Sequence, residues 1–375
     1  MHLFWLSLAV TSLTWAAPVV KIVGERHKLA LRSDGTVVGW GVCNDGQLGP
    51  GTCAGERVLA AGPLTLVLPA KAIDVAAFDD RSFLLLEDGT VFSFGGPAKE
   101  SARVNGMTGI QQIAAGGKTL LGLRRDGSVL AWGSRQSGMV GDGRHPKRYG
   151  ETGPAAMSPV SVPNVSNVKQ ISASHDHVLA LTSDGRVLAW GSNHFGALGR
   201  APRQELPIDA AGEVPGLTGV IAIVAGNGVS TALKSDGTVW VWGANWHGQF
   251  GNGERTNPPG MDSGYELVPQ KVAGIAGVVE IALGLTGRHT LVRLKDGTVR
   301  GWGNTDWGQI GAGVASTFQQ RPVTPRISGV SAIFAAGNNS FAVKADGSLW
   351  IWGSGDRGSW PLEKNTSVPV PLPLP

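Results

Sequence analysis

The chain reads as an all-β protein, a seven-bladed β-propeller of four-stranded antiparallel blades, and three observations predict this. An Asp-Gly pair followed by a β-forming run recurs seven times. An aromatic residue and then a glycine follow each pair at a constant distance. The 375 residues hold 56 glycines and 13 tryptophans yet remain 42% apolar, which suits short strands and tight turns around a sizeable core rather than disorder.

The Asp-Gly pairs begin at Asp34, Asp88, Asp126, Asp184, Asp236, Asp296 and Asp346, at spacings of 54, 38, 58, 52, 60 and 50 residues. Seven residues after each Asp stands Gly41, Gly95, Gly133, Gly191, Gly243, Gly303 or Gly353. Each is preceded by an aromatic: Trp40, Phe94, Trp132, Trp190, Trp242, Trp302 or Trp352. A period of this size marks a repeat architecture. Asp-Gly suits a two-residue hairpin turn of type I′, with both turn residues at positive φ. The strand before it is exemplified by His27-Lys28-Leu29-Ala30-Leu31 and the strand after it by Thr36-Val37-Val38-Gly39-Trp40.

In that second strand one face carries Val37, Val91, Val129, Val187, Val239, Val299 or Leu349. Two residues on, the same face is mostly small (Gly39, Ser93, Ala131, Ala189, Gly301) and the aromatic lies opposite. Both faces are therefore apolar, so each small sheet must be buried on both sides. Radial packing between two neighbours meets that need, with the small residues letting blades approach. The run Ser367-Val368-Pro369-Val370-Pro371-Leu372 resembles the inter-repeat segments and is expected to form an outer strand closing the ring against the first blade. Proline is tolerated there because an outer strand has an unpaired edge. One domain spanning residues 17–375 follows.

Residues 1–16 are of another kind: apolar from Leu3 onward, and ending in Thr14-Trp15-Ala16. They read as a secretory signal peptide, although the leading segment has His2 and no Lys or Arg. The protein is then exported, periplasmic or secreted, with no membrane span after signal removal. Cys43 and Cys53 are the two cysteines and share one loop. In an oxidising compartment they are expected to form a disulfide, the alternative being two free thiols. A net charge of +4 over this length is mild and gives only a weak hint of nucleic-acid or anionic-membrane binding, and no nucleic acid is expected.

After the aromatic, several units carry a glycine-bounded turn: Asn44-Asp45-Gly46-Gln47-Leu48-Gly49, Phe195-Gly196-Ala197-Leu198-Gly199, His247-Gly248-Gln249-Phe250-Gly251 and Trp307-Gly308-Gln309-Ile310-Gly311. Upstream of the Asp-Gly pair stand His177-Val178-Leu179-Ala180-Leu181 and His289-Thr290-Leu291. Together these resemble the repeats of the regulator-of-chromosome-condensation family, from Val19 to the end of the chain. The resemblance implies a propeller. For function it implies less, since members include exchange factors for a nuclear GTPase, adaptor domains and secreted β-lactamase inhibitors, and a fold does not set an activity. The second unit departs from the pattern: Phe94 replaces Trp, and Gly96-Pro97-Ala98-Lys99-Glu100 lacks the turn, which predicts a notch in the ring.

Catalytic motifs are scarce. Gly116-Gly117-Lys118-Thr119 lacks the earlier glycine of a phosphate-binding loop, because that position is Gln112. His27, His177 and His289 occupy equivalent places in units 1, 4 and 6, and the reading favoured for them is local hydrogen bonding rather than metal ligation. The Asp residues of the Asp-Gly pairs are accounted for by turn chemistry. No cofactor and no metal are expected. The long loops carry Trp246, Trp307, Tyr265, Phe318 and a basic cluster of Arg144, Arg148 and Tyr149, residue types that dominate binding hot spots. The expected function is a monomeric, non-catalytic scaffold whose loop face binds another protein or a cell-surface component outside the cytoplasm. The alternatives are an exported hydrolase or lyase with its site at the axial channel mouth, and an exchange-factor-like regulator.

Overall fold

A computed structural model describes residues 17–49, 59–60, 62–96, 101–144, 154–200, 207–255, 265–313, 316–355 and 360–375. Residues 1–16, Cys53, Arg148 and Tyr149 lie outside them. Seven four-stranded antiparallel sheets follow one another along the chain, over residues 19–65, 72–103, 110–161, 168–213, 220–271, 278–323 and 330–371. These are blades 1 to 7 of a β-propeller, and among the described residues there is no helix. The first strand of every blade is innermost, and the seven together line an axial channel of about 310 Å³. The turns between first and second strands and the long connections after the third strand share one face of the ring, here called the loop face. The Asp-Gly turns lie on the other.

The hairpins differ from the two-residue type I′ expectation. Gly35, Gly89 and Gly127 have φ of 86°, 80° and 79°, but none of the Asp-Gly aspartates has positive φ. Gly35 N–H instead donates to Arg32 O (3.0 Å) and Arg32 N–H to Thr36 O (2.9 Å), which is a three-residue loop ending in a left-handed glycine. The cause is the aspartate side chain. Asp34 Oδ1 accepts the Thr36 N–H (2.9 Å), and Asp88, Asp126, Asp236, Asp296 and Asp346 repeat the bond to the residue two positions on. Hydrogen bonds from the hydroxyl of that residue, and from its backbone N–H, hold each carboxyl below its ordinary pKa, the backbone bond being the larger cause only at Asp296.

Seven apolar clusters make the core, one at each junction between blades. Leu29, Val37 and Leu48 of blade 1 pack on Val75, Leu84 and Phe94 of blade 2, and the pattern recurs around the ring. The aromatic before the conserved-spacing glycine always fills the junction with the preceding blade, as Trp190, Trp242, Trp302 and Trp352 do. Two of the small residues, both glycines, make room within their own blade. A side chain at Gly39 would stand 2.7 Å from Leu48 Cδ2, and one at Gly301 would stand 2.9 Å from Leu291 Cδ2 and 3.3 Å from Ile310 Cγ2. They make room for aliphatic side chains of their own blade, including the one from the glycine-bounded turn.

The C-terminal strand Thr366–Pro371 is the outer strand of blade 7, paired with Leu349–Gly353. No strand is exchanged between the first and last blades: blade 1 holds only N-terminal residues. The ring closes through side chains, with Val19, Ile22 and Trp40 packed against Phe341, Ile351 and Leu372. The Arg32 guanidinium also donates to Pro375 O.

Candidate functional site

The three equivalent histidines do not converge. Each is buried at a different junction and braces two blades. His27 Nε2–H donates to Ser82 Oγ (2.9 Å), His177 Nε2–H to Ser230 Oγ (2.7 Å) and His289 Nε2–H to Ser340 Oγ (2.9 Å). The serine hydroxyls are themselves committed, donating at 2.7 Å to Gln47 O, Ala197 O and Gln309 O in the glycine-bounded turns. That commitment fixes which ring nitrogen carries the proton. The bond to the following blade joins blades where a local bond was expected from the sequence; His177 has local bonds as well, its Nδ1 lying 2.9 Å from Ser174 Oγ and 3.0 Å from Asp176 Oδ1. Burial drives the His27 pKa down to about 3 and that of His289 to about 4, so both are neutral in the fold.

The tryptophans extend the same joint. Trp242 Nε1 donates to Ala197 O (2.8 Å), Trp302 Nε1 to Gln249 O (2.7 Å) and Trp352 Nε1 to Gln309 O (2.7 Å). Blade 2 has no such turn, and the consequence falls on blade 3. Trp132 stays half-buried and donates to Met157 O of its own blade (3.3 Å), beside a Met157 side chain that is 86% exposed. Residues 97–100, where the notch is expected, lie outside the described residues; what the structure describes is the half-buried indole of Trp132.

At the axis on the loop face one residue reaches several blades. His175, in the inner turn of blade 4, places Nε2 3.2 Å from Glu25 Oε2 of blade 1 and Nδ1 3.1 Å from Leu285 O of blade 6. The Phe78 ring of blade 2 meets the imidazole edge to face at 5.2 Å. Both acceptors are oxygens, so both ring nitrogens donate and the imidazole is cationic. Its pKa is raised: burial opposes the charge, and the hydrogen bond and charge of Glu25 outweigh it. Glu25 is lowered, chiefly by its bond to His175.

Further out on the loop face, blades 4 to 6 carry an aromatic arc. His194 packs on Phe195 (4.5 Å) and Phe195 on Trp246 (4.5 Å, 84°). His247 leans on Phe318 at 5.6 Å. Arg255 lies 4.4 Å over the Phe318 ring and Arg288 lies 5.7 Å over the Trp307 ring. Arg288 also faces the Glu25 carboxylate electrostatically, and stacked guanidinium groups keep N–H edges that can meet a ligand. Trp246 and Trp307 are half-buried.

Of the residues picked from sequence, Trp246, Trp307 and Phe318 fall on this arc. Tyr265 opens the outer strand of blade 5, opposite Ala244 and half-buried. Arg144 is exposed on blade 3, away from the arc, with its backbone N–H on Asp142 Oδ1 (3.3 Å). Phe195, His247, Arg255, Arg288, Glu25 and His175 were not anticipated. Phe195 and His247 did stand in the quoted turns, one residue before the glycine, at the place Trp307 takes in blade 6. Cys43 is buried in blade 1. Among the described residues no group of three or more His, Cys, Asp or Glu is placed to hold a metal, and no helix is long and apolar enough to cross a membrane.

Comparison with known proteins agrees with this geometry. The human E3 ubiquitin-protein ligase HERC2 is 24% identical over 356 residues, covering 88% of this chain. The chain spans only 7% of that relative's length. The human regulator of chromosome condensation is 25% identical over 377 residues, covering 91% of this chain and 85% of the relative. The crystal structure of Prp20p from Saccharomyces cerevisiae superposes with a TM-score of 0.74 at 22% identity, over 92% of this chain and 87% of that one, which supports the fold. The RCC1-like domain matches residues 96–375, and the chain belongs to that family.

Proposed function

We propose that this propeller is a non-catalytic scaffold that binds a macromolecular partner outside the cytoplasm through the loop face of blades 4 to 6. The observation that carries the reading is the arc of Phe195, Trp246, His247, Phe318 and Trp307 with Arg255 and Arg288 laid over its rings. Aromatic rings give large contact area with few rotatable bonds, and stacked arginines keep their donors for charged contacts at the rim. A ring braced at its junctions holds these loops in place before binding, so little ordering entropy is lost. Protein binding is also a property of one protein of the same fold: Prp20p binds Gsp1p and histones. The apolar residues 3–13, and two cysteines in one loop that an oxidising compartment would bond, support an exported location.

The enzyme alternative needs a base or nucleophile at the channel mouth. His175 stands there, but both its nitrogens already donate, so it offers no lone pair, and Glu25 is occupied by it. The exchange-factor alternative rests on family likeness alone. The test is capture of partners from the native envelope, followed by hydrogen-exchange mapping of the captured complex. Protection centred on residues 194–195, 246–247 and 307–318 supports the reading. Protection confined to the Asp-Gly face refutes it.

A further inference from the structure

The inner turns of the seven blades are not equivalent. In blades 2, 3, 5 and 7 two residues separate the first and second strands; in blades 1, 4 and 6 residues 24–26, 174–176 and 284–288 do so. These three longer turns are the ones that meet over the axis, because Glu25, His175 and Leu285 belong to them. Blades 1, 4 and 6 share no strand pairing and lie apart around the ring. A direct link between them is a chord across the circle, distinct from the junction braces, which join neighbours only.

We propose that the His175 imidazolium is a proton-controlled cross-brace that ties the inner turns of blades 1, 4 and 6 together over the axis and releases them when its proton leaves. The chemistry is stoichiometric. Two acceptors, the Glu25 carboxylate and the Leu285 carbonyl, each take one N–H from a single ring. A neutral imidazole carries one N–H, so on deprotonation one acceptor faces a lone pair and that arm of the brace is lost.

The charged surroundings set the direction. His175 meets Glu25 from blade 1 and Asp176 from its own turn; blade 2 offers it the Phe78 ring and blade 6 the Leu285 carbonyl. Glu25 meets His175, Lys28 and Arg288, with Gly337 of blade 7 beside its backbone. A histidine with raised folded pKa contributes stability that is complete below its unfolded pKa and is lost as pH rises through the folded pKa. At the acid end the brace fails when Glu25 protonates, below the ordinary carboxylate range. The brace is thus closed from below the ordinary carboxylate range to beyond the ordinary histidine range, and opens as pH rises further.

Release has a defined local reach. Leu285 O also accepts the Asn227 N–H of blade 5 at 3.0 Å, and Gly287 N–H bonds Gly284 O at 2.8 Å within the same turn. That turn ends at Arg288, whose guanidinium stacks on Trp307. Opening the brace therefore loosens one cation of the loop-face arc. This last consequence rests on the proposed binding function; the brace itself does not.

The experiment follows the His175 imidazole by carbon-13 NMR across pH in the full chain, together with amide exchange at Asn227 and Gly287. The expected result is a titration midpoint above that of an ordinary histidine. Exchange at the two amides should accelerate by about tenfold beyond the intrinsic base-catalysed rate as the proton leaves. Glu25→Gln should move the midpoint down and shift the acceleration of both amides to lower pH with it. A wild-type midpoint at or below the ordinary histidine value overturns the proposal, and that reading needs no variant to fold. Protection at Asn227 and Gly287 that is indifferent to the transition also overturns it. Loss of partner binding with the brace titration intact counts only against the binding function.

Discussion

Replacing Ser340 with alanine tests whether the buried histidines are braces between blades. The hydroxyl takes one hydrogen bond from His289 Nε2 (2.9 Å) and gives one to Gln309 O (2.7 Å), and all three groups are buried. Ser340→Ala removes two bonds at about 1 kcal/mol each and leaves the His289 N–H without an acceptor. Gln309 O keeps the Trp352 indole at 2.7 Å, so the orphan lies on the histidine side alone. The total comes to about 2–3 kcal/mol. His289→Val removes the donor and should cost about 1–2 kcal/mol, mostly through volume. The double variant should cost less than the sum by about 1 kcal/mol, because the orphaned donor is absent from it. Val229 and Thr290 hold the equivalent positions at the junction of blades 5 and 6, so the ring already tolerates a pair without the histidine. The assay is equilibrium urea unfolding of all four chains, monitored by far-ultraviolet circular dichroism and tryptophan fluorescence. Additive losses, or a Ser340→Ala cost below about 0.5 kcal/mol, would falsify the brace.

Three further outcomes are expected. Trp302→Ala should destabilise by about 3–5 kcal/mol, since it empties a fully buried site and strands Gln249 O; a loss below about 1 kcal/mol in the same unfolding assay would place the indole outside the core. Stability should fall as pH drops from about 6.5 toward 4, because His27 and His289 bind protons when unfolded but are held neutral when folded; the midpoint of urea unfolding against pH reports this, and a flat profile in that window would contradict it. In exported material Cys43 and Cys53 should resist alkylation until reduced, and mass spectrometry showing two labelled thiols without reductant would reject the bond.

The ring was legible because its signals are local. An Asp-Gly pair, an aromatic and a glycine at fixed spacing specify a hairpin wherever they occur, and seven hairpins with two apolar faces have few ways to pack. The turn type was misread because the dipeptide alone does not show that Asp34 Oδ1 will hold the backbone N–H of Thr36. The histidine braces were visible in principle. Each histidine has a serine 55, 53 or 51 residues later, a pairing that becomes evident when adjacent repeats are aligned to each other. The axial contact had no such signal. Glu25, His175 and Leu285 stand in turns of unequal length on non-adjacent blades and meet only once the ring closes. The binding arc was half legible: Trp246, Trp307 and Phe318 stood out by residue type, whereas Arg255 and Arg288 join them only through the stacking of neighbouring blades.

The central claim is that the loop face of blades 4 to 6 binds a partner through its aromatic arc, and the affinity of the captured partner for Trp246→Ala and Trp307→Ala, measured with the Tm of the same chains, tests it most directly. Each substitution should weaken Kd by roughly thirtyfold, about 2 kcal/mol, the usual scale of a hot-spot residue, while Tm stays within a few degrees of wild type. An unchanged Kd, or a lower affinity that appears only together with unfolding, would show that these indoles cap their own blades and that the partner binds elsewhere.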